Sequence, residues 1–268
     1  MAELKLDILI CTFAQRLEQI PSLNLPQIDG VRYVISCQNP QNLKLNPQKD
    51  LEIRSDVEIH YFNDKGLSIN RNHALDLAKA EYLLIADDDL QYYASGIKQL
   101  IAEFDADTNL QIVTCRTKTP VDRIFPQNRH DLHIPVKAYY AISFEIAFRR
   151  TFINRYNLAF STLAGIGAPY LGSGEEDLLL HHALATNAKA IHISALIASH
   201  PHPTTSENFG SHARVLRAKG AVIRIMRGNT NALIRFPIEA WRSQAPFAKA
   251  LFCFLQGFCY SIKHRRQL

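Results

Sequence analysis

The stretch Tyr82-Leu83-Leu84-Ile85-Ala86-Asp87-Asp88-Asp89-Leu90 drives an apolar strand directly into three consecutive carboxylates. A short apolar run of this kind reads as a buried strand, and open α/β sheets bind ligands at the carboxyl ends of such strands. Carboxylates packed side by side repel one another unless a proton or a cation intervenes. Hard oxygen donors favour Mg2+ or Mn2+ over zinc. For the triplet alone, an exposed acidic turn ahead of the next helix is the plain alternative, so its surroundings decide.

Those surroundings alternate. Leu4 to Thr12, Val31 to Cys37, Val57 to Phe62 and Tyr82 to Ala86 read as successive strands. Ser68 is the expected N-cap of a helix whose apolar face carries Ala74, Leu75, Leu77 and Ala78. Beyond the triplet, Ile97, Leu100, Ile101 and Phe104 fall at helical spacing, and Ile112 to Cys115 returns as a strand. Tyr139 to Phe148 and Ile193 to Ser199 read as later strands. Glu175 to Thr186 reads as a helix entered through Gly165-Ile166-Gly167 and Gly172-Ser173-Gly174. The alternation predicts an α/β fold, a Rossmann-like and mostly parallel sheet flanked by helices. Past Pro203 basic helices replace strands, which predicts domains at 1–205 and 206–268.

Of 268 residues 47% are hydrophobic, and no repeat or low-complexity tract interrupts them, so a folded chain is expected. The amino terminus carries Glu3 and Asp7 where a secretory signal needs a basic and then an apolar stretch, and a cytoplasmic location is expected. Cys11, Cys37 and Cys115 fall within strands, as reduced core thiols. Residues 201–268 hold 11 Lys/Arg against 2 Asp/Glu, a charge of +9, which leaves −4 for residues 1–200. No nucleic-acid-binding signature accompanies this basic end, so nucleic acid is not an expected partner. An anionic membrane face is. Phe247 to Ile262 is apolar except at a few positions, and Arg242, Lys249, Gln256 and Lys263 recur every seven residues along one stripe. The segment is too short and too interrupted for a transmembrane span. It suits a helix lying in the interface with its basic stripe toward headgroups, or one that covers the core of its own domain.

Upstream of the triplet stands Gly66-Leu67-Ser68-Ile69-Asn70-Arg71-Asn72, and downstream stands Leu171-Gly172-Ser173-Gly174-Glu175-Glu176-Asp177. In order and spacing these motifs resemble inverting family 2 glycosyltransferases of the GT-A fold, over residues 4 to 205. The resemblance implies transfer of a sugar from a nucleoside diphosphate, with a UDP-sugar as the expected donor, to a hydroxyl of a glycan or lipid-linked acceptor in surface glycan synthesis. It implies Mn2+ or Mg2+ on Asp89 and Asp87, with Asp87 also toward the ribose and Asp88 auxiliary. His200 matches the place of a histidine that completes the metal shell, and His202 is its rival. Arg71 would meet the diphosphate or nucleotide, unless it forms an ion pair with Asp64 or Asp76. Asp177 would be the base, with Glu176 orienting the acceptor and Glu175 and Gly174 beside it. Acidic residues at a helix start are also favoured by the helix dipole alone.

The chain departs from the family pattern twice. Ser36-Cys37-Gln38-Asn39-Pro40 offers amides where many members carry an acid to read the base, which leaves Thr12 and Gln38 as candidates. No tryptophan precedes Glu176-Asp177, and Tyr170 is the candidate acceptor platform. Two other functions compete: a metal-dependent phosphohydrolase using Asp87 and Asp89, and a non-catalytic sugar-binding protein of the same fold.

Overall fold

In the computed structural model the apolar run is strand β4, Tyr82–Asp87. Residues 3–21, 24–200 and 210–268 are described. The described residues fall into two compact units. One comprises those of Met1–Lys65, Ile69–Ala159 and Ala183–His202, the other those of Gly66–Ser68, Phe160–His182 and Pro203–Leu268. Residues 160–182, expected within the amino-terminal domain, thus group with the C-terminal helices.

The first unit is built on one sheet. Strands β1 (Leu6–Phe13), β2 (Val31–Gln38) and β3 (Val57–Phe62) precede β4, and β5 (Gln91–Tyr92), β6 (Leu110–Lys118), β7 (His130–Asp131), β8 (Ile146–Arg149) and β9 (Lys189–Ser199) follow it. The order is β3-β2-β1-β4-β8-β6-β9-β5, with β7 on β9. Pairing is parallel through β3, β2, β1 and β4 and again between β6 and β9, while the short β5, β7 and β8 join antiparallel. Most of the paired length is therefore parallel, as the alternation predicts. Register sets Cys11 opposite Asp87, Phe13 opposite Gln38, and Gln38 opposite Phe62. The carboxyl ends of β1 to β4 thus come out at one edge. Helices α1 (Lys49–Glu52), α2 (Leu67–Leu77), α3 (Ala94–Ala106) and α4 (Arg150–Tyr156) connect the strands. Ile97, Leu100 and Phe104 bury the apolar stripe of α3. Gly96 lets α3 lie against β9, because a Cβ there would stand 2.0 Å from the Leu196 carbonyl oxygen.

Two sequence expectations change. The strand expected over Tyr139 to Phe148 shrinks to β8, preceded by a 3-10 turn at Ser143–Glu145. The turn is held by the buried Glu145 carboxylate, which accepts from Arg123, Thr117 and the Ile142 N–H. Ser68 is not an N-cap, since α2 begins at Leu67 and the Ser68 hydroxyl donates to the Ala164 carbonyl at 2.6 Å. Cys11, Cys37 and Cys115 are buried free thiols, and burial pushes Cys11 up to about 12 and Cys37 up to about 11.

One charge lies at the centre of this unit. Asp7 on β1 is fully buried and accepts from Arg32 Nε and Nη2, each at 2.8 Å, while Arg32 Nη1 reaches Glu58 at 2.6 Å; Asp7 Oδ2 also accepts the Lys79 and Ala80 N–H groups. This ties β1 and β2 to the turn ahead of β4. A buried pair that loses one partner leaves an uncompensated charge. Asp7→Ala is expected to lower unfolding stability by about 3–5 kcal/mol; an unmoved urea midpoint would contradict the clamp.

The second unit contains α5 (Glu175–Leu184) and three C-terminal helices, α6 (Ala213–Arg227), α7 (Asn229–Arg242) and α8 (Phe247–Lys263). Leu216, Phe236 and Phe254 anchor its core. Helices α6 and α8 meet backbone to backbone: a Cβ at Gly220 would stand 2.3 Å from the Phe254 carbonyl oxygen, and one at Gly257 1.9 Å from that of Arg217. Helix α8 buries Ala250, Cys253, Phe254, Gly257 and Ser261, and leaves Phe252, Leu255 and Ile262 exposed. Both sequence readings of this helix thus find a face, one on the core and one apolar and outward. Among the described residues no helix is long and apolar enough to cross a membrane.

Candidate active site

The parallel edge delivers the acidic triplet to a ring of donors within the first unit. Arg71, on α2 and 3% exposed, reaches Asp87 Oδ1 at 3.1 Å and Ser143 Oγ at 2.7 Å. It does not pair with Asp64 or Asp76, the partners weighed from sequence. Asp88 is clasped by Arg16, whose Nε lies 2.8 Å from Oδ2 and whose Nη2 meets Oδ1, while the Thr12 hydroxyl donates to Oδ2 at 2.6 Å. Asp89 faces His200, with Nε2 3.2 Å from Oδ1, and Arg16 Nη2 stands 3.5 Å from its other oxygen. His200 itself is held by the Lys118 carbonyl on its N–H and by parallel stacking on Phe144, 5.3 Å between centroids. Asn70 ties the strand ends, donating to the Thr12 carbonyl at 2.9 Å and accepting from Ser36 at 2.6 Å.

These contacts divide the three acids. Burial raises the Asp87 carboxyl above its ordinary range, against the pull of Arg71. Burial also works against ionisation of Asp89, but His200 and Arg16 outweigh it and hold that carboxyl below its ordinary range. Asp89 Oδ1 is buried without a well-formed hydrogen bond. The anionic Asp89 carboxylate is a hard oxygen donor suited to Mn2+ or Mg2+, with the His200 imidazole beside it. Among the described residues no three His, Cys, Asp or Glu side chains converge on one point. Such ions are commonly held by one or two carboxylates plus substrate phosphates, so the residues fit an ion carried with a diphosphate. His202 lies outside the described residues.

Gln38, at the end of β2, donates to Asp64 Oδ1 at 2.6 Å, and His73 meets the other Asp64 oxygen at 2.5 Å while stacking on Phe62. An acid from the end of β3 thus stands beside the position where β2 carries only amides.

The second carboxylate cluster belongs to the other unit. Glu175 is 5% exposed and opens α5 together with Glu176 and Asp177. Gly165, at φ +103°, makes room for it: a Cβ there would stand 3.1 Å from the Glu175 carboxyl carbon. Gly174, at φ +86°, leaves space near Asp177 Oδ2, and a Cβ there would strike Val222 at 2.7 Å. Burial, with the Glu175 charge adding, pushes Asp177 up to about 6. Tyr170 is engaged: its ring stacks on Tyr260 at 4.5 Å, and the Arg217 guanidinium lies over it at 4.2 Å. Trp241, the single tryptophan, is 80% exposed on α7.

The family model described as glycosyl transferase family 2 matches residues 48–166. The match spans less than half of the chain. The matched region contains Arg71 and the acidic triplet and ends before the α5 carboxylates. Solved structures with a similar fold include S. aureus TarS 1–349 in complex with UDP-GlcNAc, at a TM-score of 0.58 and 16% identity over 98% of this chain and 78% of that one. The longer S. aureus TarS structure also aligns at 0.58 and 16% identity, over 88% of this chain, which spans only 42% of that chain's length. A mycobacterial protein aligns at 0.51 and 11% identity over 82% and 73%. At these identities the likeness is one of fold. No curated protein matches in sequence.

Sequence reasoning missed Arg16 and Ser143 around the acidic triplet. Arg16 sits in the 3-10 helix Ala14–Gln19 that leaves β1. Its signal was a cation just past a strand that ends beside the acids. Ser143 gave none, because only the 3-10 turn brings its hydroxyl to Arg71.

Proposed function

We propose that the protein is an inverting glycosyltransferase that moves a sugar from a nucleoside diphosphate, a UDP-sugar, onto an acceptor hydroxyl. The observation that carries this reading is the arrangement of Asp89 and His200 among clasped acids at the edge where α/β sheets bind ligands. The TarS neighbours in complex with UDP and UDP-GlcNAc support the donor class. Asp89, Asp87 and His200 would hold a divalent ion together with the phosphates of the donor, and the ion when bound would supply counter-charge to the departing diphosphate. Arg71 supplies a fixed cation to the nucleotide or diphosphate, with Asp88 keeping Thr12 and Arg16 in place. Gln38 reads the base, oriented by Asp64. Asp177 takes the proton of the attacking hydroxyl, Glu176 orients the acceptor, and Gly174 and Glu175 shape the approach to them. Tyr170 would contribute an edge rather than a face.

The acceptor in this reading is a lipid-linked or surface glycan, met at the cytoplasmic face of a membrane. Its support is the pair of outward apolar faces in the C-terminal helices: Leu233, Ile234, Ile238 and Trp241 on α7 and Phe252, Leu255 and Ile262 on α8. Residues 227–268 carry 7 Lys/Arg against 1 Asp/Glu around them. Amphipathic helices of this make-up bind anionic bilayers.

A panel of nucleotide sugars incubated with purified protein and Mn2+ tests the donor. Slow hydrolysis of one or more UDP-sugars, absent with EDTA, is expected. Indifference to every nucleotide sugar, or release of phosphate from simple phosphomonoesters, would overturn the reading.

A further inference from the structure

A groove of about 520 Å3 opens in the second unit, and its lining includes none of the residues given roles above. Ile166, Ala213 and Val215 give it apolar walls, and His212, Arg214 and Lys249 also line it. Among the described residues no carboxylate lines it. Gly172 forms part of the wall, and a Cβ there would press to 3.0 Å on Arg214. The Gly172 N–H bonds the Arg214 carbonyl at 3.1 Å, and the Arg214 guanidinium donates to the Ala168 carbonyl. Arg214 is therefore positioned by a neutral partner; among the described residues neither it nor Lys249 pairs with an acid. The first turn of the 15-residue α6, with its unspent N–H groups, adds to the positive potential.

Apolar walls with a cationic mouth select an amphiphile whose charged end is an anion. Lys249 also stands at the start of α8, whose outward face continues as the apolar stripe described above. We infer that this groove binds the phosphate and first carbons of a lipid phosphate, the anionic end of a lipid-linked acceptor. The inference rests on the glycosyltransferase reading for the term acceptor, though not for the binding itself.

Titration of the full-length protein with decyl phosphate below its micellar concentration, with inorganic phosphate and decanol in parallel, tests it by calorimetry. Decyl phosphate is expected to bind at least tenfold more tightly than either companion. Lys249→Glu, at an exposed position, should weaken that binding at least tenfold with an unchanged melting temperature, and Arg214→Gln should do the same. Equal binding of inorganic phosphate would mean a free-anion site, and equal binding of decanol a merely greasy groove. Either result, or binding indifferent to both substitutions, overturns the proposal. Alkyl phosphate binding by protein that hydrolyses no nucleotide sugar would leave the groove standing and the transferase reading fallen; the reverse pair of results would do the opposite.

Discussion

Asp177→Asn is expected to lower the transfer rate by about a thousandfold, within the range that a positioned general base contributes. The same carboxyl, as the proposed base, should give the wild-type protein a pH-dependent turnover. With Asp177 pushed up to about 6 by burial and by Glu175, the base is protonated and idle in acid, so turnover should climb as pH rises through about 6 and level above it. Stability should run the other way. A carboxyl whose pKa is higher folded than unfolded favours the folded state while protonated, and that contribution fades as pH rises from the unfolded value toward about 6. At neutral pH the ionised group is a burden that asparagine does not carry. The variant should therefore melt higher than wild type at pH 7.5, by an amount on the order of 1–3 kcal/mol, and lose that advantage near pH 4. A variant with turnover within threefold of wild type would remove Asp177 from the mechanism. Lost activity with lost stability would mean that the substitution had disturbed α5 instead.

Asp89→Ala should abolish metal-dependent turnover of the nucleotide sugar, by about a thousandfold or more in kcat/KM, since the leaving diphosphate would depart without its counter-charge. Binding offers a second readout. Mn2+ titrated into protein with UDP present should give a saturable paramagnetic signal change with wild type and none with the variant. Asp88→Asn makes the contrast. Its two oxygens are already taken by Arg16 and Thr12, so its loss should show first as a lowered melting temperature and only partly in Mn2+ affinity. If Asp88→Asn removes the Mn2+ signal and Asp89→Ala spares it, the roles of the two acids are reversed.

Much of the fold could be read from the chain because its strands are apolar, short and punctuated. Tyr82–Asp87 is the clearest case. The segment before Arg149 was harder: Ser143 to Glu145 look like strand residues, yet a buried carboxylate with a distant arginine decides the backbone there. Local pattern carries no trace of a partner twenty-two residues away in sequence. The acids of the candidate site were legible for the same reason as the strands, since three carboxylates after an apolar run are conspicuous. Their partners were not. Arg16 reaches Asp88 across 72 residues, and Gln38 reaches Asp64 only because β2 and β3 lie side by side. Asp7 has a second role that local sequence does not show. Counted from sequence as a sign against secretion, it is in the structure the buried counter-ion of Arg32.

The glycine contacts between α6 and α8 bear on how the protein would meet a surface. With Gly220 and Gly257 letting the two backbones touch, α8 is already fully folded and immobilised on its inner side. Segments that become helical only on arrival spend part of their adhesion on ordering themselves; this one has nothing left to order. Its outer residues form a stiff plate, so adhesion should be fast, reversible and close to additive over the exposed side chains. Each aromatic removed would shorten the dwell time by its own factor, with no threshold at which attachment fails all at once.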